Sequence, residues 1–121
     1  MKPRRNLSSF FGGFVYAAQG LAEAIRTQFN IRFHFVATLI ALGMSVYYSL
    51  SMMEWCFIIL AIAIVWIAEL LNTAIEYVTD FVSPEYNSIA GKVKDIAASS
   101  ALIAAVASAA IGLMIFVPKI F

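Results

Sequence analysis

Residues 66–80 read WIAELLNTAIEYVTD and decide how the chain is interpreted. Four polar side chains recur in this stretch at helical spacing: Glu69, Asn72, Glu76 and Asp80. At roughly 100° per residue they share a stripe about 80° wide on one helix face. The preceding residues 55–68 carry no charge, so the stripe lies where an apolar helix leaves a membrane. Ionisable groups at that depth are costly unless they pair, hydrate or bind a cation, so the stripe predicts a functional site.

The composition is that of a membrane protein. Hydrophobic residues make up 63% of the 121 residues and charged residues 12%, against roughly 45–50% and 25% in soluble domains. The length predicts one domain over residues 1–121. A net charge of +1 argues against a nucleic-acid partner. The single cysteine, Cys56, and the single histidine, His34, exclude a disulfide framework and a multi-histidine metal site.

Long uncharged runs predict an all-α membrane protein with three transmembrane helices. The predicted spans cover about residues 33–53, 55–81 and 87–117, each close to or above the roughly 20 residues that cross a bilayer. Pro84 is expected to end the second span and Pro118 the third. Residues 7–29 have their large apolar side chains within one sector of a helical wheel, which is typical of an amphipathic helix lying in the membrane interface.

Two tracks of small residues predict close approaches between helices. The track on the surface helix is Gly13, Ala17, Gly20, Ala24 and Thr27. It fits either helix packing or room for a bulky ligand such as a nucleotide. The track on the third span is Ser100, Ala104, Ser108 and Gly112. It favours tight association in lipid, and because three spans make a thin fold, we expect a homo-oligomer.

Basic residues predict the orientation. Lys2, Arg4 and Arg5 precede the first span, together with Arg26 and Arg32, whereas the short connection around residues 49–54 has no Lys or Arg. By the positive-inside rule, the N-terminus and the loop at residues 81–95 face the cytoplasm. The polar stripe therefore opens towards the compartment that contains ATP.

The charged residues at this membrane edge are those that phosphoryl transfer requires. Glu76 and its neighbours offer oxygen ligands suited to Mg²⁺, and Lys94 offers a compact positive charge to phosphate. Glu69, the deepest carboxylate, is placed to accept a proton from a buried hydroxyl. Structural interpretations stay open: Asn72 as an interhelical hydrogen bond, Lys94 and Asp95 as a helix start, and Asp80 and Glu85 as solvated charges.

Three segments resemble the small prokaryotic diacylglycerol kinase/undecaprenol kinase family of integral membrane lipid kinases. They are FNIRFH at residues 29–34, AELLNTAIEYVTD at residues 68–80, and SPEYNSIAGKVKDIAA at residues 83–98. The resemblance implies a homotrimeric helical bundle with active sites shared between protomers. It also implies ATP and Mg²⁺, a membrane lipid alcohol as substrate, and the bacterial inner membrane with the active site facing the cytoplasm.

The same resemblance assigns roles by position. Glu69 would be the catalytic base, Asn72 its polar helper, and Glu76 a metal ligand and part of the ATP site, with Asp80 in support. The remaining ATP-binding positions would be Tyr16, Gln28, Glu85, Tyr86, Asn87, Lys94 and Asp95. Gln28 departs from the family, which has a metal-binding glutamate there. An amide oxygen is a weaker Mg²⁺ ligand, so either one metal is held more loosely, or Glu23 or a neighbouring carboxylate compensates.

The resemblance favours undecaprenol as the substrate. The string of Asn30, Arg32 and His34, with Pro84 before Glu85, is more similar to the undecaprenol-using branch than to the diacylglycerol-using branch. Two other classes stay as alternatives: a small proton-coupled multidrug exporter that uses an intramembrane glutamate, and an assembly subunit without chemistry. The three spans and the Lys94–Asp95 pair disfavour the exporter.

Overall fold

The computed structural model describes residues 6–121, which form four α-helices. They are α1 (Leu7–Thr27), α2 (Phe29–Tyr47), α3 (Met52–Val82) and α4 (Ser88–Ile120), and no strand occurs among the described residues. The helices α2, α3 and α4 are each long and apolar enough to span a membrane. The predicted all-α class with three spans is confirmed. Lys2, Arg4 and Arg5, which support the predicted orientation, lie outside the described residues.

The surface helix α1 begins at a capping box, and Gln28 follows its last residue. Asn6 and Ser9 exchange side-chain and backbone hydrogen bonds at its first turn, which satisfies N–H groups that a helix start leaves free. Gln28 has extended backbone angles (φ −110°, ψ 117°) and separates α1 from α2. The surface helix therefore ends at Thr27, and the first span begins at Phe29 instead of near residue 33.

The first span ends at Tyr47, well before the predicted boundary near residue 53. Ser49 adopts a positive φ of 51° in the turn that follows. Ser51 and Glu54 then form a capping box that starts α3. This S-x-x-E signal explains the earlier end, because it commits residues 51–54 to the next helix.

The helix α3 ends at Val82, two residues before Pro84, as the proline predicts. The Asn87 side chain then accepts a hydrogen bond from the Ala90 N–H and caps α4. Pro118, however, does not end the last helix, which continues to Ile120. A proline in the last turn removes one backbone hydrogen bond, and the next turn still closes because the Phe121 N–H donates to the Val117 carbonyl.

The helices α3 and α4 form the most extensive contact of the bundle. Ala97, Ala101 and Ala104 of α4 are buried, and the Ser108 hydroxyl donates to the Ala61 carbonyl at 2.8 Å. Small side chains thus bring the two backbones close, as the track on the third span predicts.

The two ends of the bundle differ in chemistry. At one end Leu50, Ile58 and Phe116 form a buried apolar cluster, and a Glu54–Lys119 ion pair lies nearby along α3 and α4. The 31-residue helix α3 rises about 46 Å and carries the polar stripe at its other end. That end also receives the end of α1 and the start of α4.

Candidate functional site

The polar stripe on α3 runs from buried to exposed. Glu69 and Asn72 are 6% and 7% exposed, Glu76 is half-buried, and Asp80 is exposed. The order follows from helical periodicity, because the side chains share one face while their distance from the apolar part of α3 increases. The stripe therefore joins a carboxylate held among apolar helices to one that faces solvent.

Glu69 is held by a residue of another helix. His34 of α2 lies with its Nε2 atom 3.1 Å from Glu69 Oε1, and both side chains are largely buried. One turn away along α2, the Thr38 hydroxyl donates to the His34 carbonyl and accepts from the Trp66 indole N–H. Two polar contacts thus join α2 to α3 at the level of Glu69.

Asn72 has one amide atom in use and one without a partner. Its Nδ2 group donates to Glu76 Oε1 at 3.4 Å. Its Oδ1 atom is buried and has no donor among the residues that the structure describes. An amide oxygen accepts hydrogen bonds or binds a cation, and a buried one without a partner is costly. The Asn72–Glu76 pair therefore fits a cation or a donor group supplied by a ligand.

These donors suit Mg²⁺ but do not enclose it. Amide and carboxylate oxygens are the ligands that Mg²⁺ takes, with phosphate oxygens and water completing its shell. Within residues 6–121, no three Asp, Glu, His or Cys side chains converge to hold a metal ion. A metal at Glu76 would therefore depend on oxygen ligands from a bound phosphate.

Gln28 lies between α1 and α2, and its Nε2 group donates to the Thr27 hydroxyl at 3.5 Å. Thr27, the preceding residue, makes a 3.2 Å hydrogen bond to the hydroxyl of Tyr77, which follows Glu76 on α3. Glu23 is 2.7 Å from Arg26, and this hydrogen-bonded partner raises the pKa of the guanidinium above its ordinary value. The carboxylate predicted as a substitute for the family glutamate is thus engaged on its own helix.

An ion pair lies at the exposed end of the stripe. Lys94 Nζ donates to Asp80 Oδ1 at 2.6 Å, across the connection between α3 and α4. Asp95, the next residue, is exposed at the same end of α4. The structure therefore brings Asp80 and Lys94 together at the exposed end of the stripe.

The loop residues predicted to contact ATP have different surroundings. Glu85 and Tyr86 are exposed, whereas the Asn87 amide is engaged as the α4 cap and donates to the Ser83 hydroxyl at 2.6 Å. The Tyr86 ring covers Gly91, where an added Cβ would lie 3.3 Å from the ring and its hydroxyl. Tyr16 is exposed on α1.

A cavity of about 560 Å³ lies between α1 and α3. Ala17, Gly20 and Ala24 of the small-residue track line one side, and Thr73 and Tyr77 line the other. A Cβ added to Gly20 would meet no atom within 4 Å. The structure therefore shows free space beside this track within one chain, as the interpretation of room for a ligand requires.

A sequence profile described as prokaryotic diacylglycerol kinase matches residues 15–116. The chain is 40% identical to the undecaprenol kinase of Bacillus subtilis (strain 168), over 97% of this chain and 95% of that protein. It is 33% identical to a diacylglycerol kinase of Synechocystis, over 88% of this chain and 62% of that protein. It is 32% identical to a diacylglycerol kinase of Escherichia coli (strain K12), over 74% and 73%.

The chain belongs to the prokaryotic diacylglycerol kinase family. It is therefore an enzyme of the lipid kinase class, and its three apolar helices agree with a membrane protein. This assignment agrees with the resemblance carried by the three sequence segments.

Sequence reasoning missed the contact between His34 and Glu69. From the sequence, His34 only excludes a multi-histidine metal site and marks a resemblance to the undecaprenol-using branch. The two residues are 35 positions apart, and their contact depends on how α2 packs on α3. The one available signal was a histidine inside an apolar span, where a polar side chain needs a partner.

Proposed function

We propose that this family member transfers the γ-phosphoryl group of ATP to undecaprenol and produces undecaprenyl phosphate. The observation that carries the chemistry is a buried carboxylate, Glu69, at the apolar end of a stripe whose other end is exposed. A lipid hydroxyl and a water-soluble nucleotide approach from opposite sides, and this gradient suits both. The 40% identity to an undecaprenol kinase over nearly the whole of both chains supports the choice of lipid.

Glu69 acts as the general base in this proposal. It accepts the proton of the lipid hydroxyl as the lipid oxygen bonds to the γ-phosphorus. The bond from that phosphorus to the β–γ bridging oxygen breaks, and ADP leaves. Glu69 Oε1 contacts His34, and we assign the proton to Oε2, the other carboxylate oxygen. A positioned base contributes roughly 10²–10⁴-fold to such a step.

Mg²⁺ would be held by Glu76 with the Asn72 oxygen and with Gln28 in support. Bound there, the ion would offset charge on the phosphate oxygens. The unpartnered Asn72 Oδ1 beside Glu76 supports this assignment. Gln28 supplies a neutral oxygen where a carboxylate would bind more strongly, so we expect Mg²⁺ to bind weakly and only together with the nucleotide.

The nucleotide would lie at the exposed end of the stripe. Lys94 binds phosphate and is oriented by Asp80, which it contacts at 2.6 Å. Asp95, Glu85, Tyr86, Asn87 and Tyr16 would complete the site. The Tyr86 ring lies beside the first turns of α4, where Gly91 has no side chain to displace it.

We further propose a homotrimer with shared sites in the bacterial inner membrane, its N-terminus and active site facing the cytoplasm. Large apolar side chains are exposed along all three spans of the single chain, which suits contact with lipid and with other copies. Arg26, Arg32, Lys92 and Lys94 lie at the end that carries the stripe, which suits a cytoplasmic location.

Diacylglycerol is the second candidate substrate, because two of the three relatives reported above are diacylglycerol kinases. Both lipids present a hydroxyl at the interface, and Glu69 would serve either one. Membership of a kinase family favours transfer over the exporter and assembly alternatives.

The decisive experiment measures phosphate transfer from labelled ATP in mixed micelles that contain undecaprenol or diacylglycerol. We expect faster transfer to undecaprenol, and a loss of about 10²-fold or more in Glu69→Gln. Glu54→Gln is the matched control, because it removes a carboxylate at the opposite end of the same helix. Faster transfer to diacylglycerol would reverse the substrate choice, and near-normal turnover in Glu69→Gln would remove the base assignment.

A further inference from the structure

Two polar contacts join α2 to α3, and they differ in what they touch. The Trp66 indole N–H donates to the Thr38 hydroxyl at 2.9 Å, which links the helices without touching the stripe. His34 Nε2 lies 3.1 Å from Glu69 Oε1, which links them through the carboxylate proposed as the base. Apolar contact alone gives little drive for helix association in lipid, so either contact could serve docking.

The contact with His34 also restricts the base. A glutamate side chain on a helix has three rotatable bonds, and a proton acceptor that samples several orientations loses effective concentration at the reacting hydroxyl. A donor on Oε1 fixes the carboxylate plane and leaves Oε2 free. The His34 ring itself packs edge-on against Phe33.

We propose that His34 is a positioning residue, which donates from Nε2 to Glu69 and orients the carboxylate towards the lipid hydroxyl. The inference rests on the proposed function of Glu69 as the base. Because His34 acts through Glu69, its loss should reduce the rate of the chemical step and leave the affinity for ATP unchanged.

The kinetic test compares three variants in mixed micelles. His34→Leu removes the donor, and we expect kcat to fall about 10- to 100-fold while KM for ATP changes less than about twofold. His34→Gln keeps an N–H donor near the position of Nε2 and should stay within about threefold of wild type. Thr38→Val removes the other polar contact between α2 and α3, and its turnover should also stay within about threefold of wild type. Equal losses in His34→Leu and Thr38→Val, or in His34→Leu and His34→Gln, would overturn the positioning role.

A spectroscopic test reads the contact directly, because His34 is the single histidine of the chain. With ¹⁵N-labelled histidine, the imidazole nitrogens give one set of resonances. We expect the Nε2 resonance to be that of a protonated donor, to move in Glu69→Gln and to stay in place in Thr38→Val. If the wild-type protein transfers phosphate but Glu69→Gln leaves the Nε2 resonance unmoved, the positioning role alone is overturned. Absence of transfer to both alcohols by the wild-type protein overturns the proposed function, and the positioning role with it.

Discussion

Replacing Lys94 by methionine is expected to weaken ATP binding while the helices stay in place. Lys94 Nζ is 2.6 Å from Asp80 Oδ1, and the two side chains are 41% and 61% exposed. Ion pairs this exposed contribute only about 0.2–1 kcal/mol to stability, because water and salt screen them. The loss of this pair therefore leaves the fold nearly as stable as before, and any large effect must come from the ligand.

The expected magnitude follows from the two contacts that Lys94 would make. A hydrogen bond to a charged group contributes about 1.5–3 kcal/mol, so the loss of a phosphate contact should raise KM for ATP about 10- to 150-fold. Asp80→Asn keeps the Lys94 ammonium and loses only the charged partner that orients it. KM for ATP should therefore rise at most about fivefold in this variant. The double variant should match Lys94→Met alone, since Asp80 acts through Lys94.

The assay is an ATP titration at saturating undecaprenol, with thermal unfolding in the same micelles as the check on stability. Lys92→Met is the matched control, because it removes the same charge about 200° around the helix from Lys94. An equal rise in KM for both lysine variants would show a general charge effect and refute a specific phosphate contact. An unchanged KM in Lys94→Met would remove Lys94 from the nucleotide site.

The remaining predictions concern the metal and the loop before α4. Gln28→Glu introduces a carboxylate at the proposed metal position and should lower the Mg²⁺ concentration for half-maximal rate; an unchanged or raised requirement would remove Gln28 from the metal shell. Gly91→Ala places a Cβ 3.3 Å from the Tyr86 ring, so the exposed tyrosine must shift and KM for ATP should rise a few-fold while stability does not fall. Gly112→Ala has free space around its Cβ and is the control, so an equal rise in both glycine variants would argue against a nucleotide contact by Tyr86.

The polar stripe could be derived from the sequence because its order is local to one helix. The spacing of Glu69, Asn72, Glu76 and Asp80 fixes their common face once α3 forms, and the gradient of burial along α3 agrees with that order. The catalytic and binding roles assigned to these residues stay predictions, since they concern ligands.

The contacts between helices could not be derived in this way. His34 and Glu69 are 35 residues apart, and Thr27 and Tyr77 are 50 apart. Which residues meet depends on the rotation and register of one helix against another, and both are set by packing along the whole interface. A sequence pattern places a residue on a face but does not say which residue faces it.

The ends of helices were predictable only where a strong local signal exists. Pro84 predicts the end of α3 because proline restricts the residue before it. The break at Gln28 lacks proline and glycine, so the apolar pattern alone places it too late. Pro118 misleads for the opposite reason, because a proline in a last turn costs one hydrogen bond that the helix end can lose.

The helix α3 carries the polar contacts that join the bundle, and this explains why the site lies on it. Its partners at successive levels are Lys119, the Ser108 hydroxyl, Thr38, His34, Thr27 and Lys94. In lipid such contacts are among the few forces that specify how helices dock. At the buried levels away from the stripe they serve docking alone, whereas at Glu69 the docking atom belongs to the proposed base. In the proposed mechanism, docking and catalysis are therefore coupled at His34 and separate at Thr38, although one helical turn divides the two residues.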